Sequence, residues 1–176
     1  MTGETPVPLH LAGPLFSVDS GQRKRFFIDT STLIYLDRIA LLEAVCQTFA
    51  PATIGPVLSE FGRVVADVYI LPVAAAEAAT DDALLAVTCQ YSGVLLSEDG
   101  GLLRRAARHG LWYYNSLMLI SGLCYHGVSG CREGEAAIEK LITFARYSHA
   151  VRAYGRKVFA QVREHVAAAG QEKESS

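Results

Sequence analysis

Hydrophobic residues along this chain form short runs that alternate with longer stretches of helical spacing. Five runs are short and rich in bulky or β-branched side chains, as buried strands are: residues 26–28, 48–54, 68–73, 94–96 and 111–114. Pro72 confines the end of the third run to a sheet edge or exit. Because strands that alternate with helices join through right-handed crossovers, the pattern predicts an α/β fold with a mostly parallel central sheet and helices on both faces.

The stretches between and after these runs carry apolar residues at helical spacing. They predict one or two helices directly after Asp29, then helices over 55–65, 80–91 and 102–108, and C-terminal helices over 116–125, 133–147 and 151–168. Thr80 is the predicted N-cap of its helix, after a short alanine-rich piece over 74–79. The predicted organisation is a polar, proline-punctuated lead-in over 1–24, one domain over 25–168, and a flexible tail over 169–176.

Composition and charge narrow the functional classes. A chain of 176 residues with 51% hydrophobic content has the material for one sizeable core. The N-terminus lacks the apolar segment of a signal peptide, and no later run reaches membrane-spanning length, which predicts a cytoplasmic protein with no membrane partner. The four cysteines show neither C-x-x-C nor zinc-like spacing and are predicted to be buried, reduced thiols. A formal net charge of −2 means that any binding of nucleic acid must come from local basic patches.

Acidic residues stand at the ends of two predicted strands. Asp29 follows the run over 26–28, and Asp99 comes shortly after the run over 94–96. In open α/β sheets ligands bind beyond the carboxyl ends of the strands, so both acids stand where a substrate or metal would be met. Glu60 and the pair Asp81 and Asp82 lie on predicted helices between them and could converge on the same place. A carboxylate cluster is costly without a cation, so convergence predicts Mg²⁺ or Mn²⁺, with water completing the coordination shell.

Four of these five acids also have a purely structural interpretation. Asp29 could cap a helix that begins near Ser31, and Glu60 could be an ordinary surface residue. Asp81 and Asp82 could simply place favourable charge at a helix N-terminus. The sequence alone leaves these alternatives open.

Four segments, taken in order, resemble the motifs of PIN-domain nucleases: FFIDTSTL, Glu60 in PVLSEFG, TDDALLAV, and GVLLSEDGGLLRRAARHGL. The resemblance covers roughly residues 25–125 and implies a PIN-like α/β fold. It also implies a metal site built by Asp29, Glu60, Asp82 and Asp99, with Thr30, Ser31 and Ser97 as supporting hydroxyls. Asp81 beside Asp82 leaves the third acid open. Gly100, Gly101 and Leu102 stand where many members carry a further acid, which leaves open whether one or two metals bind.

The resemblance implies a divalent-metal-dependent ribonuclease that hydrolyses RNA, most simply single-stranded RNA, and it raises an antitoxin-like protein as a further partner. The alternative is a catalytically inactive PIN-fold module that binds RNA or protein. Two groups of basic residues offer phosphate contacts or, equally, solvated helix faces. They are Arg104, Arg105, Arg108 and His109, and then Arg146, Arg152, Arg156, Lys157 and Arg163.

Dense apolar stretches predict self-association. Residues 111–123 and the amphipathic face over 138–145 hold more apolar surface than a single domain of this size readily covers, which predicts a homodimer. A dimer would also bring basic residues of both subunits along one RNA path. The competing interpretation is that these helices pack onto their own sheet.

Overall fold

A five-stranded parallel sheet lies at the centre of the protein. The computed structural model describes residues 11–17, 24–72 and 79–174. The strands are β1 (Phe26–Ile28), β2 (Ala52–Ile54), β3 (Tyr69–Leu71), β4 (Val94–Leu96) and β5 (Trp112–Tyr114). Their order in the sheet is β3-β2-β1-β4-β5, and every neighbouring pair is parallel. The predicted α/β fold with a parallel central sheet is confirmed.

Eight α-helices flank this sheet in the described part of the chain. They are α1 (Thr30–Arg38), α2 (Leu42–Phe49), α3 (Gly55–Phe61), α4 (Thr80–Gln90), α5 (Gly100–Arg108), α6 (Ser116–Tyr125), α7 (Cys131–Ile142) and α8 (His149–Glu174). The C-terminal helices are therefore present as predicted, and α6 has the predicted bounds.

Several predicted boundaries differ from the structure. Thr48 belongs to α2 rather than to a strand, because the apolar spacing of that helix continues to its end. Ala79, not Thr80, is the N-cap of α4, and no side chain caps that helix. Helix α8 continues through Gly170 to Glu174, where a flexible tail was predicted. Most of the alanine-rich piece over 74–79 lies outside the described residues.

The order of the strands creates a crevice between β1 and β4. From β1 the chain proceeds outward to β2 and β3, and it then crosses to the other side of β1 to form β4 and β5. Right-handed crossovers in opposite directions place the connecting helices on opposite faces, which leaves an opening at the carboxyl ends of the two strands where the direction reverses. Ile28 pairs with Leu96 there, and the Asp29 N–H donates to the Leu96 carbonyl at 2.9 Å.

Much of the apolar surface predicted for a dimer interface lies in the core of the single chain. Every residue of α6 from Ser116 to Cys124 is buried, and so are Ile138, Leu141 and Ala145. These side chains are packed within one subunit and cannot form an intersubunit contact, although Trp112 and Tyr113 of the same stretch remain exposed. The homodimer stays a prediction, now without most of the residues that motivated it.

The lead-in also contributes to the core. A short 3-10 turn over Pro14–Phe16 buries Leu15 and Phe16, and Leu11 is buried beside them. The His126 Nε2–H donates to the Leu15 carbonyl at 2.9 Å, which ties this segment to the end of α6. Leu11, Leu15 and Phe16 of the lead-in therefore serve packing, a role that the sequence alone did not predict.

Candidate acidic site between β1 and β4

Asp29 is held in one orientation at the crevice. It is 5% exposed, and its Oδ1 accepts the Thr30 N–H at 2.7 Å, so it does cap α1. Its Oδ2 accepts the hydroxyls of Ser31 at 2.6 Å and of Ser97 at 2.9 Å. The capping interpretation and the functional interpretation are thus compatible, because the cap leaves this carboxylate at the end of β1.

Asp99 reaches the same crevice from β4. The Ser97 hydroxyl that donates to Asp29 also accepts the Asp99 N–H at 3.0 Å. Asp99 in turn caps α5, since its Oδ1 accepts the Leu102 N–H at 2.7 Å. A Cβ at Gly101 would lie 2.9 Å from that same Oδ1, so any side chain there would displace Asp99. Glycine at this position therefore keeps the Asp99 cap intact.

Glu60 is joined to Asp29 through a single residue. The Thr30 hydroxyl donates to Glu60 Oε2 at 2.9 Å, and the Thr30 N–H donates to Asp29. Glu60 lies on α3 and is exposed. All three hydroxyl residues that the resemblance singled out, Thr30, Ser31 and Ser97, therefore contact predicted site acids.

The neighbouring acids Asp81 and Asp82 have different surroundings. Partial burial raises the pKa of Asp81, and the negative charges of Asp29, Asp99 and Glu60 raise it further, while Arg105 opposes them. Asp82 is exposed and forms an ion pair with Arg105. Asp81 thus lies within the electrostatic field of the other three acids, whereas Asp82 is paired with Arg105, and this difference favours Asp81 over Asp82 as the third acid of the site.

Glu98 is a functional candidate that the sequence did not single out. Its Oε1 accepts the Ser116 N–H at 2.8 Å and the Ser116 hydroxyl at 2.6 Å, with the Thr32 hydroxyl at 3.3 Å. Its Oε2 accepts the hydroxyl of Tyr147, which lies between α7 and α8. The only sequence signal was its place between Ser97 and Asp99, whereas its partners are distant along the chain.

Burial of the Glu98 carboxyl raises its pKa, and the hydrogen bonds from Ser116, Tyr147 and Thr32 oppose that effect. The Glu98 N–H also donates to the Ser31 hydroxyl at 3.0 Å, and this hydroxyl binds Asp29. Glu98 therefore connects α1, the start of α6 and the approach to α8 at a point directly behind the acidic site.

The donor set suits a hard divalent cation in its chemistry. Asp29, Glu60, Asp81 and Asp99 offer carboxylate oxygens, which Mg²⁺ and Mn²⁺ prefer. In the described part of the chain, however, no three acidic, histidine or cysteine side chains already stand close enough together to hold an ion. Thr30 lies between Asp29 and Glu60, and the Ser97 hydroxyl lies between the Asp29 carboxylate and the Asp99 N–H, while Glu60 and Asp99 are both exposed.

Within the described residues, the cysteines form no second metal or catalytic centre. All four cysteines are free, and burial raises the pKa of the Cys46 thiol to about 12 and of the Cys124 thiol to about 11. These two thiols are therefore protonated and inert at neutral pH. Cys89 and Cys131 are only partly buried, unlike the prediction for them.

Comparisons with known proteins assign this chain to no family. No family model, no curated protein and no solved structure matches it. Within the described residues, no helix has the length and apolar character needed to cross a membrane. The functional assignment therefore depends on the residues of the crevice.

Proposed function

We propose that this protein is a divalent-metal-dependent endoribonuclease of PIN-like architecture that hydrolyses single-stranded RNA at the crevice between β1 and β4. The observation that carries the proposal is the Ser97 hydroxyl, which donates to the Asp29 carboxylate and accepts the backbone N–H of Asp99 at the ends of two adjacent parallel strands, where the order of the strands reverses. This is the place where open α/β sheets bind their ligands. The ordered PIN-like motifs support the same activity.

The residues of the crevice have distinct roles in this proposal. Asp29 and Asp99 would hold Mg²⁺ or Mn²⁺, Asp81 would complete the anionic site, and Glu60 would orient a water molecule. The cation, when bound, supplies Lewis acidity and an activated water for attack at phosphorus. Ser31 and Ser97 fix the Asp29 carboxylate before substrate arrives, which lowers the cost of reorganisation.

The negative charge of the crevice makes productive binding of RNA depend on the cation. Four carboxylates near one another repel the phosphates of RNA as long as no cation offsets their charge. We therefore expect RNA to reach the crevice productively only together with a divalent ion, and chelation to abolish cleavage.

The test is cleavage of mixed single-stranded RNA by the purified protein in Mn²⁺, with a chelator as the control. Asp29→Asn keeps the shape of the side chain and should lower the rate by roughly 10²- to 10³-fold, because loss of one ligand weakens charge stabilisation by several kcal/mol. Asp81→Asn should lower the rate more than the matched variant Asp82→Asn, since Asp82 pairs with Arg105 outside the cluster.

Three outcomes would contradict parts of the proposed function. Cleavage that persists in Asp29→Asn would come from a contaminant or another site. Binding of RNA without product, in Mg²⁺ and in Mn²⁺, would instead favour the inactive PIN-fold module. A larger effect of Asp82→Asn than of Asp81→Asn would reverse the assignment of the third acid.

A further inference from the structure

An open groove of about 500 Å³ lies between β5 and α8. Three aromatic side chains line it and remain largely exposed: Trp112 is 45% exposed, Tyr113 43% and Tyr154 49%. Leu111 and Met118 add apolar surface to its lining. Exposed aromatic rings of this kind present flat faces to which planar groups can stack.

This groove begins one strand away from the acidic crevice. Its lining includes Asn115, the residue that directly follows β5. Leu96 pairs with Tyr114 across the two strands, and the Ser97 N–H donates to the Tyr114 carbonyl at 3.1 Å. Because neighbouring strands lie about 5 Å apart, the groove begins one strand away from Ser97 and Asp99.

Unpaired positive charge lies beside this junction. Arg104 and Arg108 are one turn apart on α5, the helix that supplies Leu103 to the groove. The Arg104 guanidinium lies 3.4 Å from where a Cβ of Gly100 would stand, so it reaches back to the start of α5 next to Asp99. Across the described ranges, neither arginine has an ion-pair partner. A single nucleic-acid strand offers phosphates that can bind the arginines and flat bases that can stack on the aromatic rings.

We propose that this groove binds the segment of single-stranded RNA that flanks the bond cut in the crevice, with bases stacked on Trp112, Tyr113 and Tyr154 and a phosphate at Arg104. The inference rests on the proposed function for the identity of the cut bond. Stacking on aromatic side chains tolerates any base, because every base has a π face. The groove would therefore select single strands over duplexes, whose bases are already stacked on one another.

Binding can be measured apart from cleavage. Trp112 is the only tryptophan of the chain and lines both this groove and a second pocket beside Gly13, so quenching of its fluorescence is assigned to the groove where Tyr113→Ala and Tyr154→Ala reduce it. The probe is a single-stranded RNA of about 12 nucleotides, within the span of typical single-strand sites. It is titrated in chelator so that no strand is cut, and the repulsion by the crevice carboxylates then weakens binding equally in the unaltered protein and in its groove variants. Anisotropy of a label on the same RNA gives the affinity independently.

Single substitutions with a matched control locate the site. Tyr113→Ala and Tyr154→Ala should each weaken binding about tenfold, in line with the loss of one stacked base. Tyr69→Ala is the control, because Tyr69 is 69% exposed on β3 at the opposite edge of the sheet, and it should bind as the unaltered protein does. Single-stranded RNA should quench Trp112, and duplex RNA of the same sequence should not.

Equal affinities of the groove variants and the control would overturn the proposal, as would equal quenching by duplex RNA. A dimer in light scattering that Tyr113→Ala dissociates would make the groove a protein interface and would also overturn it. The two proposals fail separately. Trp112 quenching without cleavage in Mn²⁺ refutes only the nuclease, and cleavage unaffected by Tyr113→Ala and Tyr154→Ala refutes only the groove.

Discussion

Replacing Glu98 by alanine should be among the most damaging single changes behind the acidic site. The carboxylate accepts hydrogen bonds from the Ser116 N–H and hydroxyl, from the Thr32 hydroxyl and from the Tyr147 hydroxyl. Ser116 and Thr32 are fully buried, so water cannot easily replace the lost acceptor for them. Removal of the carboxylate therefore leaves buried donors without partners.

The magnitude follows from counting the donors that lose the Glu98 carboxylate as an acceptor. The two Ser116 donors are short and buried, and each unsatisfied buried donor costs about 1–3 kcal/mol. The Thr32 bond is long at 3.3 Å and adds little, and Tyr147 is partly exposed and can turn to solvent. Relief from burying a negative charge offsets part of the loss, which leaves an expected net destabilisation of about 2–4 kcal/mol.

Urea unfolding at neutral pH, followed by circular dichroism, measures the free energy of unfolding for each variant. Glu98→Gln keeps an acceptor for Ser116 and removes the buried charge, so it should lose less than about 1 kcal/mol. Glu139→Ala is the matched surface control: Glu139 pairs with Arg156 at 2.9 Å but is 56% exposed, and such pairs contribute at most about 1 kcal/mol.

Two results would refute this reasoning. The first is a Glu98→Ala variant within about 0.5 kcal/mol of the unaltered protein, which would mean that water satisfies Ser116. The second is an equal loss in Glu98→Gln and Glu98→Ala, which would mean that the charge itself, rather than the acceptor, stabilises this region.

Two further predictions concern the acidic cluster and the strand packing. The pKa of Asp81 is raised in the folded state, so its contribution to stability falls as pH rises from about 4 through that raised value. Mn²⁺ competes with the proton on the Asp81 carboxyl, so the increase in Tm that Mn²⁺ causes should grow from pH 4 to pH 7. An increase in Tm that does not depend on pH would contradict a metal site at Asp81. Gly93→Ala should cost about 1–3 kcal/mol in urea unfolding, because the new Cβ would lie 2.5 Å from the Phe27 ring. Gly170→Ala is the control: a Cβ at Gly170 in α8 meets only open space, so this change should be neutral or stabilising by up to about 1 kcal/mol. Equal effects of the two changes would contradict the close packing of Gly93 against Phe27.

The sequence by itself determined the elements whose local signals agree with one another. The run over 26–28 and the run over 94–96 are buried strands as predicted, because short apolar runs bounded by polar residues have few other ways to be buried. Their order with the intervening helices was enough to predict a parallel sheet. The sequence also predicted that Asp29 and Asp99 lie at the same edge of the sheet, because the carboxyl ends of all parallel strands share one edge.

Only the tertiary structure gives the two neighbouring acids of α4 different surroundings. Asp81 and Asp82 are adjacent on α4 and differ by about 100° around the helix axis, so the packing of α4 on the sheet selects between them. Glu98 is a similar case. Its position in the sequence predicts a loop acid, and its partners Thr32, Ser116 and Tyr147 come from three separate elements.

The tertiary structure also decided which apolar residues are core and which are surface. A dense apolar stretch is equally compatible with a core helix and with an interface. The contacts of α6 with α7 and α8 make it core, and the place of β5 at the sheet edge leaves Trp112 and Tyr113 exposed. The spacing of apolar residues predicts which face of a helix or strand is apolar. Whether that face is buried depends on the element that packs against it, and such packing involves segments far apart in the chain.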